Sequence, residues 1–500
     1  MKSFAELQAG LGQALAANTE GSGTPHVVIA LPSYSASDSL LRHYGERILA
    51  LEHRYLLATL MTHRLEHARL VLVSSIAPTP DVLDYHRRLG PRPQAWGAGT
   101  HVVALEDTSS QSLAEKLLRH PDALDRLCRA VGDRPAFIEP WNVTEHEVAV
   151  AERLQVPVNG MDPSLWHLGF KGAGRKLFAR AGVPLPAGVE DVRTVDDVVR
   201  GIEAIRAARP DVSAVVVKHD DSYAGDGNIV VNLLEGPVPA DVQTLARRVA
   251  ALPRGYLAEL ARGGIVEELV TGTEVTTPSA QVDLLPDGRV VVLATHEQVV
   301  GGTNGQVFLG CRFPADPVHA AQVARHARAV GEQLVAAGAL GRVSVDFVAS
   351  RDPSGTSRVF ALEVNLRKGG TTHPYAALRN LVPGRYDEEL GQWVTAAGNA
   401  PRAYVCTDNL LDESWVGLSP GPVIEAVRRA GLQLDHRTGV GVVLHMLSGL
   451  AIDGRIGLTA IGLDAGHAQE LHDAACRVIA ATAAEVAHER RLAGWSGLTP

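Results

Sequence analysis

Short apolar runs cut off by proline and serine set the rhythm of the first third of the chain. HVVIAL at 26–31 stops at Pro32 and Ser33, and RLVLVS at 69–74 stops before a proline-containing loop. Phe137 and Ile138 begin a third run that ends at Pro140. Runs of this length, apolar at every position, predict strands of a parallel sheet buried on both faces. The stretch 37–67 is long and helix-compatible. Residues 1–160 therefore read as an open α/β unit.

Beyond 160 the pattern changes. A helix is predicted over about 172–181 in KGAGRKLFARAGVPLPA, stopped by Gly182 and Pro184. AVVVK at 214–218 predicts a strand that leads into the loop HDDSYAGDGN and resumes at 229–233, an antiparallel hairpin. A helix is predicted over 240–252. Strand-like runs follow at 265–270, 275–284 and 289–295, with Pro-Asp-Gly at 286–288 as a turn. The glycine-rich 300–311 reads as a loop able to move, and 319–337 as a helix. Residues 343–349 and 358–365 predict two paired strands turning at DPSGTS, 352–357. After about 400, runs at 439–447 and 454–463 predict a small antiparallel sheet covered by a helix over 465–486.

Composition narrows the class. With 500 residues, 46% apolar and 21% charged, the chain has enough apolar material for several packed units. A net charge of -9 argues against a bulk nucleic-acid binder. No run approaches the ~18 apolar residues of a membrane span. The stretch MKSFAELQAGLGQALAANTE lacks a continuous apolar core, so it is not read as a signal peptide. Cys128, Cys311, Cys406 and Cys476 lack the paired spacing of a zinc or redox motif and read as reduced, mostly buried thiols of a cytoplasmic protein.

Three kinds of chemical group then follow in order. Lys171 comes first, with Lys218 ending an apolar strand beside the loop Ser222 to Asn228. Gly225 and Gly227 in that loop let backbone N–H groups turn toward one anion, which suits polyphosphate. The acidic stretch IVEELVTGTE is second. Glu267, Glu268 and Val270 close a strand whose following hinge offers backbone groups to an adenine edge, and Glu274 can accept ribose hydroxyls. Asp346, Glu363 and Asn365 are third. Alternation puts Glu363 and Asn365 on one face, where buried acids ask for a cation such as Mg²⁺. Arg367 falls on that same face and suits the charge of phosphoryl transfer. The bland alternatives are a hairpin turn with a surface lysine, a solvated acidic edge strand, and a Glu363–Arg367 salt bridge. GFKGAGRK at 169–176 lacks the ending of a Walker P-loop. His63 and His67 share i, i+4 spacing on a predicted helix; with no third ligand they read as an exposed face.

The order of these elements resembles the ATP-grasp superfamily over about 160–375. Lys171 followed by AGVPLP, and Lys218, look like its two phosphate lysines. Ser222 to Asn228 looks like its phosphate loop, Glu267 to Val270 like its adenine hinge and Glu274 like its ribose carboxylate. Asp346, Glu363 and Asn365 look like its magnesium ligands and Arg367 like its catalytic arginine. Ser344 stands where dipeptide ligases of this kind often carry a basic residue, which leaves oxyanion stabilisation to Arg367 or Arg342. VVVKHDDSYAGDGN, EVNLRKGGTTHP and GVVLHMLSGLAIDGRIGLTAIG further resemble the pheganomycin-type peptide ligases of natural-product pathways.

The resemblance implies an ATP-grasp fold, α/β and α+β. A Rossmann-like pre-ATP-grasp domain covers 1–160, two ATP-grasp subdomains cover 161–260 and 261–400, and a small sheet-plus-helix domain covers 401–500. It implies a cytoplasmic ligase that uses ATP and Mg²⁺ and binds neither nucleic acid nor membrane, with a homodimer as the candidate assembly. An amino-acid carboxylate would be activated as an acyl phosphate and joined to an amino-acid or peptide amine. The 222–228 and 300–311 stretches are the expected lids. Lys368, Thr371, Thr372 and His373 are expected to face the acceptor. The rivals are a carboxylase acting through carboxyphosphate and a non-catalytic nucleotide-binding protein of the same fold.

Overall fold

The computed structural model describes residues 1–35, 41, 44–222, 227–235, 238–301 and 307–492. Gly225 and the middle of both expected lids lie outside the described residues.

The N-terminal runs form a four-stranded parallel sheet in the order Thr100–Ala104, Ala68–Ser74, His26–Leu31, Ala136–Pro140. Alternation divides its side chains between two cores. Val27, Ile29, Leu31, Val71 and Val73 pack under helices Leu113–Leu118, Pro121–Val131 and Glu145–Leu154. Val28, Ala30, Leu70 and Leu72 face a second core shared with residues far downstream, such as Tyr375, Trp393 and Val443. Helices cover both faces, which explains why these strands are apolar throughout.

Within the helix-compatible stretch 37–67, residues 47–63 are a chain of short turns. Arg47–Glu52 is helical, His53–Tyr55 is 3-10, and Leu56–Thr59 and Leu60–His63 follow. Thr59 Oγ1 donates to the Leu56 carbonyl at 2.6 Å and Thr62 Oγ1 to that of Thr59 at 2.9 Å. Such back-bonding competes with the i–4 ladder and tightens the turns. His63 closes this segment as a buried residue against Gly90, which corrects its reading as an exposed helix face; only His67 is exposed.

The middle of the chain forms a four-stranded antiparallel sheet in the order Gly188–Val189, Gly264–Glu268, Ala214–His219, Asn228–Asn232. Helices Val195–Ala208 and Val242–Ala250 supply its core. Residues 269–273 then cross to an eleven-stranded sheet. Its centre pairs Gly341–Arg351 with Pro278–Leu284 on one side and Ser357–Asn365 on the other. Helix Ala320–Ala336 covers its apolar face.

The predicted C-terminal strands do pair, as Gly441–His445 with Arg455–Gly462. They are not a separate sheet, however. Arg455–Gly462 also pairs with Pro401–Leu411, which pairs with Val307–Phe313 of the large sheet. Tyr404 and Cys406 lie in the same core as Leu444 and Ile461, so splitting the sheet there would expose one continuous apolar layer. Gly341, at φ +85°, docks this sheet on the N-terminal domain. A Cβ there would lie 2.7 Å from Gly160 Cα.

Candidate active site

The large sheet has one apolar and one polar face. Ala280, Val282, Val343, Val345 and Val364 point into the core beneath helix Ala320–Ala336. The intervening residues form a polar row: Ser279 opposite Asp346, Gln281 opposite Ser344, and Asp283 opposite Arg342. Glu363 and Asn365 extend it on the next strand, opposite Asp346 and Ser344.

Asp346 is the best-held group in the row. Asn365 Nδ2 donates to one of its oxygens at 2.9 Å and Gln298 Nε2 to the other at 3.1 Å. Burial, and then the charge of Glu363, push its carboxyl up to about 6. Glu363 behaves oppositely. Burial works to raise it, but Lys171, Lys218 and Arg367 hold it below the ordinary carboxylate range. Two carboxylates on one rung, one of them reluctant to ionise, make a donor set that a hard divalent cation fits.

Lys171 opens helix Lys171–Arg180, which Leu177 and Phe178 anchor to the core of the large sheet. Its Nζ donates to Ser222 Oγ at 2.9 Å and to the Ser222 carbonyl at 3.1 Å, and lies 3.5 Å from Glu363. The lysine thus joins the loop of the small sheet to the acidic face of the large one. The Asp220 carboxylate accepts from Gly172 N–H at 2.6 Å and fixes the helix start. Lys218 projects from the small sheet and pairs with Glu267, whose second oxygen takes Arg175 at 3.0 Å. A small cleft opens here, lined by Trp166, Asp221, Ser222, Glu363, Asn365 and Arg367 among others.

Other expected residues lie elsewhere. The Glu268 side chain pairs with Arg209 at 3.1 Å while accepting from Ala187 N–H, and its own N–H donates to the Ala187 carbonyl at 2.8 Å. Val270 is half-buried in the 269–273 crossing. Glu274 is exposed just past it, 3.6 Å from Arg351. Gly227, at φ +81°, resumes the strand pairing after the loop.

Arg342 is not beside Asp346. They lie four positions apart on the strand, roughly 13 Å, and Arg342 is paired with Asp283 and donates to Gln281 Oε1 at 3.1 Å. Lys368 is buried and ion-paired to Glu139, at the end of strand Ala136–Pro140, at 2.7 Å. The Thr371 carbonyl accepts from Gln281 Nε2 at 2.7 Å, and Thr372 Oγ1 donates to Gln281 Oε1 at 3.2 Å. His373 departs from the expectation that it faces an acceptor: it is buried against Asp408, Cys406 and His445. Sequence reasoning missed Arg175, Asp283, Gln298 and Glu139. Alternation along PSAQVDL does signal Ser279, Gln281 and Asp283 as one face.

The family model IQCH-like, ATP-grasp matches residues 255–380, and the PGM1 C-terminal domain matches 422–475. L-propargylglycine–L-glutamate ligase of Streptantibioticus cattleyicolor is 31% identical over 406 residues, covering 79% of this chain and 82% of that protein. Among solved structures, biotin carboxylase from Campylobacter jejuni with a bound ATP analogue superposes with TM-score 0.53 at 13% identity, covering 90% of each chain. The ADP complex of N5-carboxyaminoimidazole ribonucleotide synthetase gives TM-score 0.50 at 14% identity over 92% of this chain and 98% of that one. These two share the fold; the 31% relative, matched along most of both chains, fixes the kind of enzyme. The chain belongs to the ATP-grasp family and is an ATP-dependent carboxylate–amine ligase.

Proposed function

We propose that this enzyme joins the carboxylate of one amino acid to the amine of a second amino acid or of a peptide, through an acyl phosphate, in the cytoplasm. The observation that carries the reading is the Lys171–Glu363 approach at 3.5 Å, by which one lysine ties the Ser222 loop to the acidic strand. Lys171, Lys218 and the backbone of Ser222 and Gly227 hold the ATP phosphates. The 269–273 crossing, beginning beyond Glu267 and Glu268, offers Val270 backbone groups to adenine, and Glu274 accepts the ribose hydroxyls. Asp346, Glu363 and Asn365 would hold Mg²⁺, which supplies charge neutralisation at the phosphate oxygens.

A carboxylate oxygen of the donor attacks the γ-phosphorus, and the bond to the ADP oxygen breaks. Arg367 faces the charge that develops on the transferring group. The amine nitrogen then attacks the acyl carbon, phosphate leaves, and the amine proton passes to solvent. Positioning and charge compensation provide most of the rate. Arg342, held by Asp283, and Lys368, held by Glu139, lie at the far end of the polar row, where they bind substrate rather than the γ-phosphate. The named relative couples two amino acids, which supports this substrate class.

The test is mass spectrometry of reactions containing ATP, Mg²⁺ and pooled amino acids and dipeptides. Condensation products with equimolar ADP are expected. AMP and pyrophosphate instead, or ADP release that needs bicarbonate and no amine, would reject the reading.

A further inference from the structure

Apart from the carboxylates of the polar row, the large sheet buries a second cluster of metal-ligating side chains. Cys406 and Asp408 lie two residues apart on strand Pro401–Leu411. His445 ends strand Gly441–His445, and His373 comes from helix Thr372–Leu381. All four are at most 6% exposed. One ligand atom from each lies within 4.8 Å of every other.

The separations fit four donors around one small ion. His373 Nε2 is 2.8 Å from Asp408 Oδ1 and 3.9 Å from Cys406 Sγ. The donor of His445 is Nδ1, 3.6 Å from Asp408 Oδ1, while its Nε2 lies 3.8 Å from that sulfur. A tetrahedral ion with bonds of about 2.0 to 2.3 Å sets its donors roughly 3.3–3.8 Å apart. The His373–Asp408 pair has to open and the His373–Cys406 pair to close slightly. The competing account is a hydrogen-bonded network, since Asp408 also takes Arg54 Nη1 at 2.8 Å. That account leaves His445 Nδ1 buried, aimed at the cluster, and without a hydrogen-bond partner among the described residues. The Cys406 sulfur in that account has the two imidazoles at nearly 4 Å and the Cys311 thiol on the neighbouring strand.

We propose that His373, Cys406, Asp408 and His445 form a structural Zn²⁺ site. On binding, the metal replaces the thiol proton of Cys406, which passes to solvent. The thiolate, one Asp408 oxygen and two neutral imidazoles donate electron pairs. Thiolate and carboxylate together balance the 2+ charge, and imidazole with thiolate favours zinc over magnesium. Arg54 on the other Asp408 oxygen fixes the carboxylate from outside, a usual outer partner of a metal ligand. With four protein donors the site has no open position, so it is structural rather than catalytic. The sequence hid it because its members come from three separate segments and lack the paired spacing of a zinc motif. Its consequence is mechanical. It ties the start of helix Thr372–Leu381, and with it the Thr371–Gln281 contact in the polar row, to the C-terminal strands.

The test uses the full chain purified without a metal-affinity tag. Elemental analysis is expected to find about one zinc per chain. In the C406S and H445A variants that content falls roughly tenfold or more, while D346N retains it. Because a variant can misfold, the wild type is also stripped by chelation and reloaded with Co²⁺. A thiolate-to-cobalt charge-transfer band and intense tetrahedral visible bands are expected. Reloaded protein without the thiolate band, or zinc retained in C406S and H445A but lost in D346N, would overturn the assignment.

Discussion

Asp346 and Glu363 occupy one rung of neighbouring antiparallel strands, their carboxyl groups on the same polar face. Lys171 approaches Glu363 to 3.5 Å, whereas Asp346 accepts from the neutral amides of Gln298 and Asn365. The pair is therefore unequal. Asp346 depends on an incoming cation more than Glu363 does, because burial and the facing charge both oppose its ionisation. D346N should raise the Mg²⁺ concentration for half-maximal ADP formation by about tenfold or more. An unchanged Mg²⁺ dependence would remove Asp346 from the metal site.

Glu267 predicts a different phenotype, because its side chain is a counter-ion. It is 2% exposed and pairs with both Lys218 and Arg175. Removing it strands two buried cations, a change that typically costs about 3–5 kcal/mol. E267A should lower unfolding stability by that amount in a denaturant titration, whereas E268A, which strands one half-exposed cation and the Ala187 N–H, should cost less, about 1–3 kcal/mol. Equal losses would contradict the assignment of faces.

Stability should fall on the acid side for a reason visible in three histidines. Burial pushes His53 and His86 down to about 4 and His296 to about 3. Unfolded histidine titrates near 6.5. Between those values the unfolded chain takes up protons that the fold refuses, so stability drops as pH falls from about 6.5 toward 4. Each histidine contributes about 3 kcal/mol to that drop. Glu52 opposes them: burial raises it to about 7, so the fold keeps its proton longer and gains stability as pH falls from 7 toward 4.5. Three histidines outweigh one glutamate. Thermal melts should show Tm falling from pH 6.5 to 4, and E52Q should steepen the fall. A flatter profile in E52Q would reverse the argument.

Arg342 and Asp283 yield a prediction about substrate rather than nucleotide. Their pairing lies about 13 Å along the strand from Asp346. R342Q should therefore raise KM for an amino-acid substrate by tenfold or more, the effect of losing about 1.5–3 kcal/mol of charged hydrogen bonding, and leave KM for ATP within about twofold. An equal rise in both would place Arg342 at the phosphates.

Period-two alternation made the chemistry of Ser344–Asp346 and Glu363–Asn365 legible, because a one-residue offset would have turned those carboxylates into the valine core. The same rule applied to PSAQVDL exposes the Ser279–Gln281–Asp283 face. Partners could not be read in this way. Arg342 finds Asp283 59 residues upstream, and His373 finds Asp408 35 residues downstream, through strand order that no local pattern encodes. Glu267 was placed correctly at the end of its strand, yet its side chain answers to Lys218 and Arg175 across the sheet. The C-terminal strands were legible as a pair but not as part of the large sheet, since strand Pro401–Leu411 uses both of its edges.

The central claim is that a substrate carboxylate is phosphorylated before the amide forms. Amino acids carrying ¹⁸O in their carboxylates, incubated with the enzyme, Mg²⁺ and unlabelled ATP, test it directly. The account predicts one ¹⁸O in each phosphate released alongside amide product, read by mass spectrometry. Amide formation with phosphate that carries no ¹⁸O would contradict it.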